Sequence, residues 1–213
     1  MDPITAVTSF SIAAALMTLT PGIDTALVLR TASVETGLKA MAAGVGISLG
    51  VLIWGLLSAL GVAAVLAVSE TGYLVMKVAG AAYLCWLGVN MLRAAFRKGD
   101  AFDTSKVDTR QTTLGGWFSR GLFTNLLNPK IGVFYMSFLP QFMVADVNPV
   151  AWSAMLAGIH VAMGIPWFGV IILATRPISQ LLKKPVVTKV MDGVTGAVLV
   201  GFGLKLFFDE KPA

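Results

Sequence analysis

Cysteine occurs once in the 213 residues, at Cys85, and histidine once, at His160. A single thiol excludes an internal disulfide framework and a thiolate metal cluster. With one histidine, no HExxH and no GxSxG stretch, neither a zinc site nor a familiar nucleophile-base pair can be assembled, and a P-loop for nucleotide is absent too. The chain therefore reads as neither an enzyme nor an ATPase, and no cofactor or metal is expected. Charge is scarce as well. Only 13% of residues are charged, against roughly 25% in an average soluble domain. Meanwhile 56% are hydrophobic and the mean hydropathy is +0.81, which excludes a water-soluble fold. The opening residues, MDPIT, also lack the basic n-region of a signal peptide, so the first apolar stretch is expected to be retained.

What is present in place of charge is a series of long apolar runs. Those bounded by charge or turn residues predict six spans, at about 5–28, 40–68, 72–95, 115–139, 149–175 and 186–208. About 20 helical residues cross a hydrocarbon core of ~30 Å, and an open strand would leave backbone groups unpaired in lipid, so every span is expected to be helical. The expected fold is an all-α integral membrane protein. Alternate loops, 30–39, 97–113 and 176–185, with their flanks, hold 12 of the 16 basic residues. The positive-inside rule puts those loops in the cytoplasm and both termini outside, and it accounts for the net charge of +5 without nucleic acid. Residues 97–114, with their mixed charges, read as a solvated cytoplasmic linker between a first unit, 1–96, and a second, 115–213.

Punctuation in the two units matches. Thr20-Pro21-Gly22 interrupts the first span and Asn128-Pro129-Lys130 the fourth, each proline following a polar residue able to cap a helix. The third and sixth spans share a Lys-Val start and a pair of glycines eight apart, Gly80 and Gly88 against Gly193 and Gly201. Three spans per unit is an odd number, so the second copy enters from the opposite face. The prediction is two inverted three-helix repeats, the first helix of each broken at its proline, with the binding site at the breaks. Proline removes a donor and clashes with the preceding turn, freeing backbone groups that only protein or a wet cavity can satisfy. Such ends can offer amides to a carboxylate and carbonyls to an ammonium, which suits a zwitterion. The alternative is a pair of packing kinks.

Charges within the spans sharpen the expectation, since each costs ~2.5–3.5 kcal/mol on insertion scales and is usually functional or paired. Asp24, Lys130 and Asp192 are the candidates. An Asp24–Lys130 ion pair and an Asp192–Lys189 pair are the structural alternatives. Thr20, Pro21, Gly22, Asp24, Asn128, Pro129 and Lys130 are the expected transport pathway, and Asp24, Asp192 and His160 the proton-coupling candidates, although a lone histidine is more often packed than working. Asn90 and Asn125 could hydrogen-bond across helices, and Gly46 and Gly50 form a GxxxG pair for packing within the monomer or at a dimer seam.

LTPGIDTALVL at 19–29, VAGAAYLCWLGVNMLRAA at 78–95 and NLLNPKIGVFYMSFLPQF at 125–142, in that order, resemble the amino-acid exporters of the lysine-exporter (LysE) superfamily, more closely the homoserine/threonine branch than the basic-amino-acid branch. DGVTGAVLVGFGL at 192–204 is similar in type, and Ile23 departs from the pattern where a second proline is frequent. The resemblance implies a multi-pass protein of the bacterial inner membrane that exports small amino acids or derivatives by proton antiport, with Pro21, Asp24, Asn128, Pro129 and Lys130 on or near the path. Its partners would be an amino-acid substrate, protons and the bilayer, with a homodimer possible. A passive channel or structural membrane subunit is the competing reading, and an intramembrane enzyme a more distant one.

Overall fold

The computed structural model describes residues 2–68, 70–96, 113–144, 147–182 and 184–208. The expected linker up to residue 112, Lys183 and both extreme ends of the chain lie outside the described residues. Every regular element within them is helical: α1 Pro3–Leu19, α2 Ile23–Val34, α3 Gly37–Val68, α4 Glu70–Phe96, α5 Leu114–Leu126, α6 Pro129–Val133, α7 Pro149–Leu173, α8 Thr175–Leu182 and α9 Pro185–Phe208. Between α6 and α7 the chain continues as a π-helical turn, Phe134–Phe138, and a 3₁₀ turn, Leu139–Phe142. Start signals are written locally. Asp2 caps α1 through the Thr5 amide at 3.0 Å, Thr113 caps α5 through Gly116 at 3.0 Å, and Asn148 caps α7 through Val150 and Ala151, both at 3.0 Å.

By length and apolar character, three helices of the described residues can cross a membrane: Gly37–Gly61 within α3, all of α7, and Pro185–Leu204 within α9. A fourth is counted if α1 and α2, bent by 47° at their junction, form one broken span. The second expected break is also present. The run predicted as one span over 115–139 is divided into α5, α6 and the irregular turns, because Leu127 and Asn128 leave the helix and Pro129 restarts it.

Glycines set how closely the helices approach. A Cβ at Gly46 would collide with the Phe118 carbonyl and one at Gly121 with the Ala43 carbonyl, so α3 and α5 touch backbone to backbone. Gly88 and Gly196 do the same for α4 and α9: a Cβ on either would lie 2.6–2.7 Å from the other's carbonyl oxygen. Gly46, Gly50 and Gly88 are thus engaged within the monomer, while Gly201 faces open space.

The buried apolar residues form two clusters. One gathers Phe10 of α1, Val51 of α3, Leu156 of α7 and Phe134, Phe138 and Phe142 of the irregular turns. The other gathers Leu27 of α2, Ala43 and Ile47 of α3, Trp117 of α5, and Phe168 and Ile171 of α7. Both broken runs, α1–α2 and α5–α6, pass from one cluster to the other at their breaks, so the breaks share one level of the molecule. The candidate site lies there.

Candidate functional site

At the first break α1 ends with the Thr20 amide bonded to the Leu16 carbonyl at 2.9 Å, and the Thr20 hydroxyl donates to the same carbonyl at 2.6 Å. Pro21 and Gly22 then intervene before α2, whose first turn has no side-chain cap because Gly22 stands at that position. Thr20 therefore closes α1 and does not cap the helix that follows. The second break differs. Asn128 precedes α6 directly and accepts the Lys130 amide at 3.0 Å, a true N-cap with Pro129 in the first helical position. The Asn125 carbonyl, freed at the end of α5, accepts the Asn128 amide at 3.0 Å and the Trp54 indole N–H at 3.4 Å.

The two breaks line one cavity with about 50 Å³ of water-accessible space, room for a few waters at roughly 10–15 Å³ each. Thr20, Gly22 and Asp24 come from the first break, Asn128 and Lys130 from the second, and His160 from α7. Pro21 and Pro129 do not line it; Pro21 is half-buried and Pro129 exposed, so each proline acts by interrupting its helix. Asp192, half-buried on α9, is not a lining residue either, though it lies within electrostatic reach of Lys130.

Asp24 is the most constrained group in the cavity. Its Oδ2 accepts Asn125 Nδ2 at 2.8 Å and the Asn128 side-chain amide also faces its carboxyl, while Oδ1 is cut off from solvent with no hydrogen-bond partner. Lys130 is near enough to act on it electrostatically. Among the described residues, however, no direct ion pair joins Asp24, Asp192, Lys130 or Lys189, so neither structural alternative for these charges is formed in this conformation. An unpaired buried charge is costly, and a ligand of opposite charge removes that cost.

Residues that pattern alone did not single out complete the wall. Thr18, Thr25 and Ser48 line the cavity, and Thr195 of α9 meets Thr20 hydroxyl to hydroxyl at 2.6 Å in a buried contact. His160 is 5% exposed and its Nδ1 lies 2.9 Å from the hydroxyl of fully buried Tyr135, the two rings being parallel within 6°. The Tyr135 carbonyl, in the π-helical turn, accepts the Ser58 hydroxyl at 2.9 Å. Of the residues around the cavity, His160 was already a sequence candidate and Asn125 carried a signal as an amide within an apolar span.

The chain is 32% identical to the threonine efflux protein of Salmonella typhi over 64% of its own length and 65% of that protein, a little under two thirds of the relative. It is 31% identical to the homoserine/homoserine lactone efflux protein of the same organism over 69% of each chain. An uncharacterised membrane protein of Bacillus subtilis, YrhP, is 30% identical over 90% of this chain and 93% of its own. No solved structure matches. The sequence model described as LysE type translocator matches residues 15–210. With nearly the whole chain matched, and relatives that include threonine and homoserine efflux proteins, the protein belongs to the LysE family of translocators, on its homoserine/threonine side.

Proposed function

We propose that the chain is a secondary active exporter of small neutral amino acids, threonine- or homoserine-like in size, working by proton antiport across the bacterial inner membrane. The observation that carries this reading is one cavity lined from both helix breaks and holding Asp24 and Lys130 without a direct bond between them. A zwitterion supplies what each lacks. Its ammonium meets the free oxygen of Asp24, and its carboxylate meets Lys130 and the uncapped amides at the start of α2. If Asp24 alternates between a proton and the ammonium, each substrate leaving is matched by a proton entering. Asp192 and His160 are secondary candidates for that proton, one near Lys130 and one on the cavity wall.

In this reading the molecule is six spans in two inverted units, 1–96 and 115–213, with basic loops 30–39, 97–113 and 176–185 cytoplasmic and both termini outside. Packing of α3 against α7 and of α4 against α9 supports the repeat, since these are the pairs that an inverted duplication makes equivalent. The cavity, wide enough only for a few waters, belongs to a closed conformation, and the breaks must part to admit an amino acid. A homodimer would use a surface other than Gly46, Gly50 and Gly88, which are occupied internally.

The test is counterflow of L-threonine, L-homoserine and L-leucine in proteoliposomes, with and without an imposed pH gradient. Counterflow of at least one is expected, steepened by the gradient, and lost about tenfold or more in Asp24→Asn and Lys130→Met, since a bond to a charged group is worth about 1.5–3 kcal/mol. Counterflow indifferent to the gradient would remove proton coupling. Unaltered export in both variants would leave a passive pore or structural subunit.

A further inference from the structure

The Asn125 side chain is in an unusual position. It is 0% exposed, its Nδ2 holds Asp24 Oδ2 at 2.8 Å, and its Oδ1 is buried without a donor. That oxygen lies on Gly50 of α3. A Cβ at Gly50 would come 2.6 Å from Asn125 Oδ1, 2.9 Å from its Cβ and 3.0 Å from its Cγ, so the whole amide rests on a bare Cα. No alanine fits there without displacing it.

This arrangement decides which way the amide faces. Against the hydrogens of a glycine Cα, an amide oxygen makes a weak favourable C–H···O contact, whereas an NH₂ group would find no acceptor. The NH₂ is then turned toward Asp24, where a carboxylate oxygen accepts it. Both ends of the amide select the same orientation. The backbone cannot slip either, because the Asn125 carbonyl is held by the Asn128 amide and the Trp54 indole. Further along the same seam, Gly46 meets Phe118 and Leu122, which with Gly121 and Asn125 lie on one face of α5 at helical spacing. The glycine seam thus fixes the register that delivers Asn125 to Asp24, 101 residues away in sequence.

We propose that Gly50 and Asn125 are positioning residues: the glycine seats the asparagine amide, which holds one oxygen of Asp24 and leaves the other unpartnered beside the cavity, to meet the ammonium of the substrate when the breaks part. The role rests on the export reading above. Its chemistry is a division of labour within one carboxylate, a satisfied oxygen fixing the group and an unsatisfied one binding. Without Asn125 the carboxylate could rotate toward Lys130, which is in electrostatic reach, and the two binding charges would cancel.

The experiment compares Gly50→Ala, Asn125→Gly and the double variant Gly50→Ala/Asn125→Gly, which exchanges the small residue across the seam and restores the room. Each is read by KM and kcat for L-threonine counterflow and by the thermal midpoint in detergent. Both single variants should raise KM by about tenfold to a hundredfold, the range for losing a bond to a charged group. The double variant should be no worse in KM than Asn125→Gly and should melt higher than Gly50→Ala. If Gly50→Ala does not fold, recovery of folded protein in the double variant serves in its place. Wild-type KM in folded Gly50→Ala, or losses that multiply in the double variant, would overturn the proposal. Additive midpoints would overturn the seam alone. A wild-type protein silent toward L-threonine, L-homoserine and L-leucine would instead overturn the export reading, and the role of the seam with it.

Discussion

Thr20 shows how much one hydroxyl can determine. Its single proton is committed to the Leu16 carbonyl, so the hydroxyl of Thr195 must be the donor in the contact between them. Through that bond the first break is tied to α9. Hydrogen bonds between membrane helices average about 0.6 kcal/mol and reach about 1.7. Thr195→Val is expected to lower stability within that range, read as a fall in thermal midpoint in detergent, while Thr195→Ser leaves it nearly unchanged. Equal losses in both would mean that the methyl group, not the hydroxyl, matters. The Tyr135 hydroxyl acts on His160 in a related way. The phenol is the partner of Nδ1 whichever of the two carries the shared proton. Tyr135→Phe should leave a buried nitrogen unpartnered and cost about 1–3 kcal/mol of stability, measured by denaturant titration. A neutral result would show that Nδ1 finds another partner once the hydroxyl is gone.

At the level of elements, the two breaks were legible because proline acts locally, through its missing N–H and its clash with the preceding turn. Their difference was not. Asn128 and Thr20 both precede a proline, yet one caps the next helix and the other closes the previous one, because Gly22 inserts an extra residue and leaves α2 uncapped. Asn128→Ala is therefore expected to cost about 0.5–2 kcal/mol through α6, with Asn128→Ser retaining most of the cap; Thr20→Ala should act through Thr195 and Leu16 instead. Pro21→Ala combined with Gly22→Ala restores two good helix formers between α1 and α2, which should straighten the 47° bend, raise or preserve the thermal midpoint, and abolish counterflow. A straightened variant that still exports would show that the break is dispensable. The irregular turns over 134–142 had no sequence signal beyond Pro140, since π and 3₁₀ geometry answers to packing among Phe134, Phe138 and Phe142 more than to local preference.

For the whole molecule, two apolar clusters enclose a polar level, an arrangement suited to a site reached from one face at a time. Orientation can be tested directly. After Cys85→Ala, single cysteines at Thr36 and Asp108 should resist a membrane-impermeant maleimide added to intact cells, and one at Asn148 should react. The reverse pattern would invert the assignment.

Composition and punctuation were enough to determine that the chain lives in lipid, that it is helical, and where its helices break, because hydration of apolar groups and the missing N–H of proline act within a few residues of sequence. Tertiary structure alone decided that Asn125 would hold Asp24, that Gly50 would seat Asn125, and that Thr195 would reach Thr20. These contacts span 75 to 175 residues of chain. They follow from how closely helix backbones can approach where glycine removes the side chain, a distance that no local pattern contains.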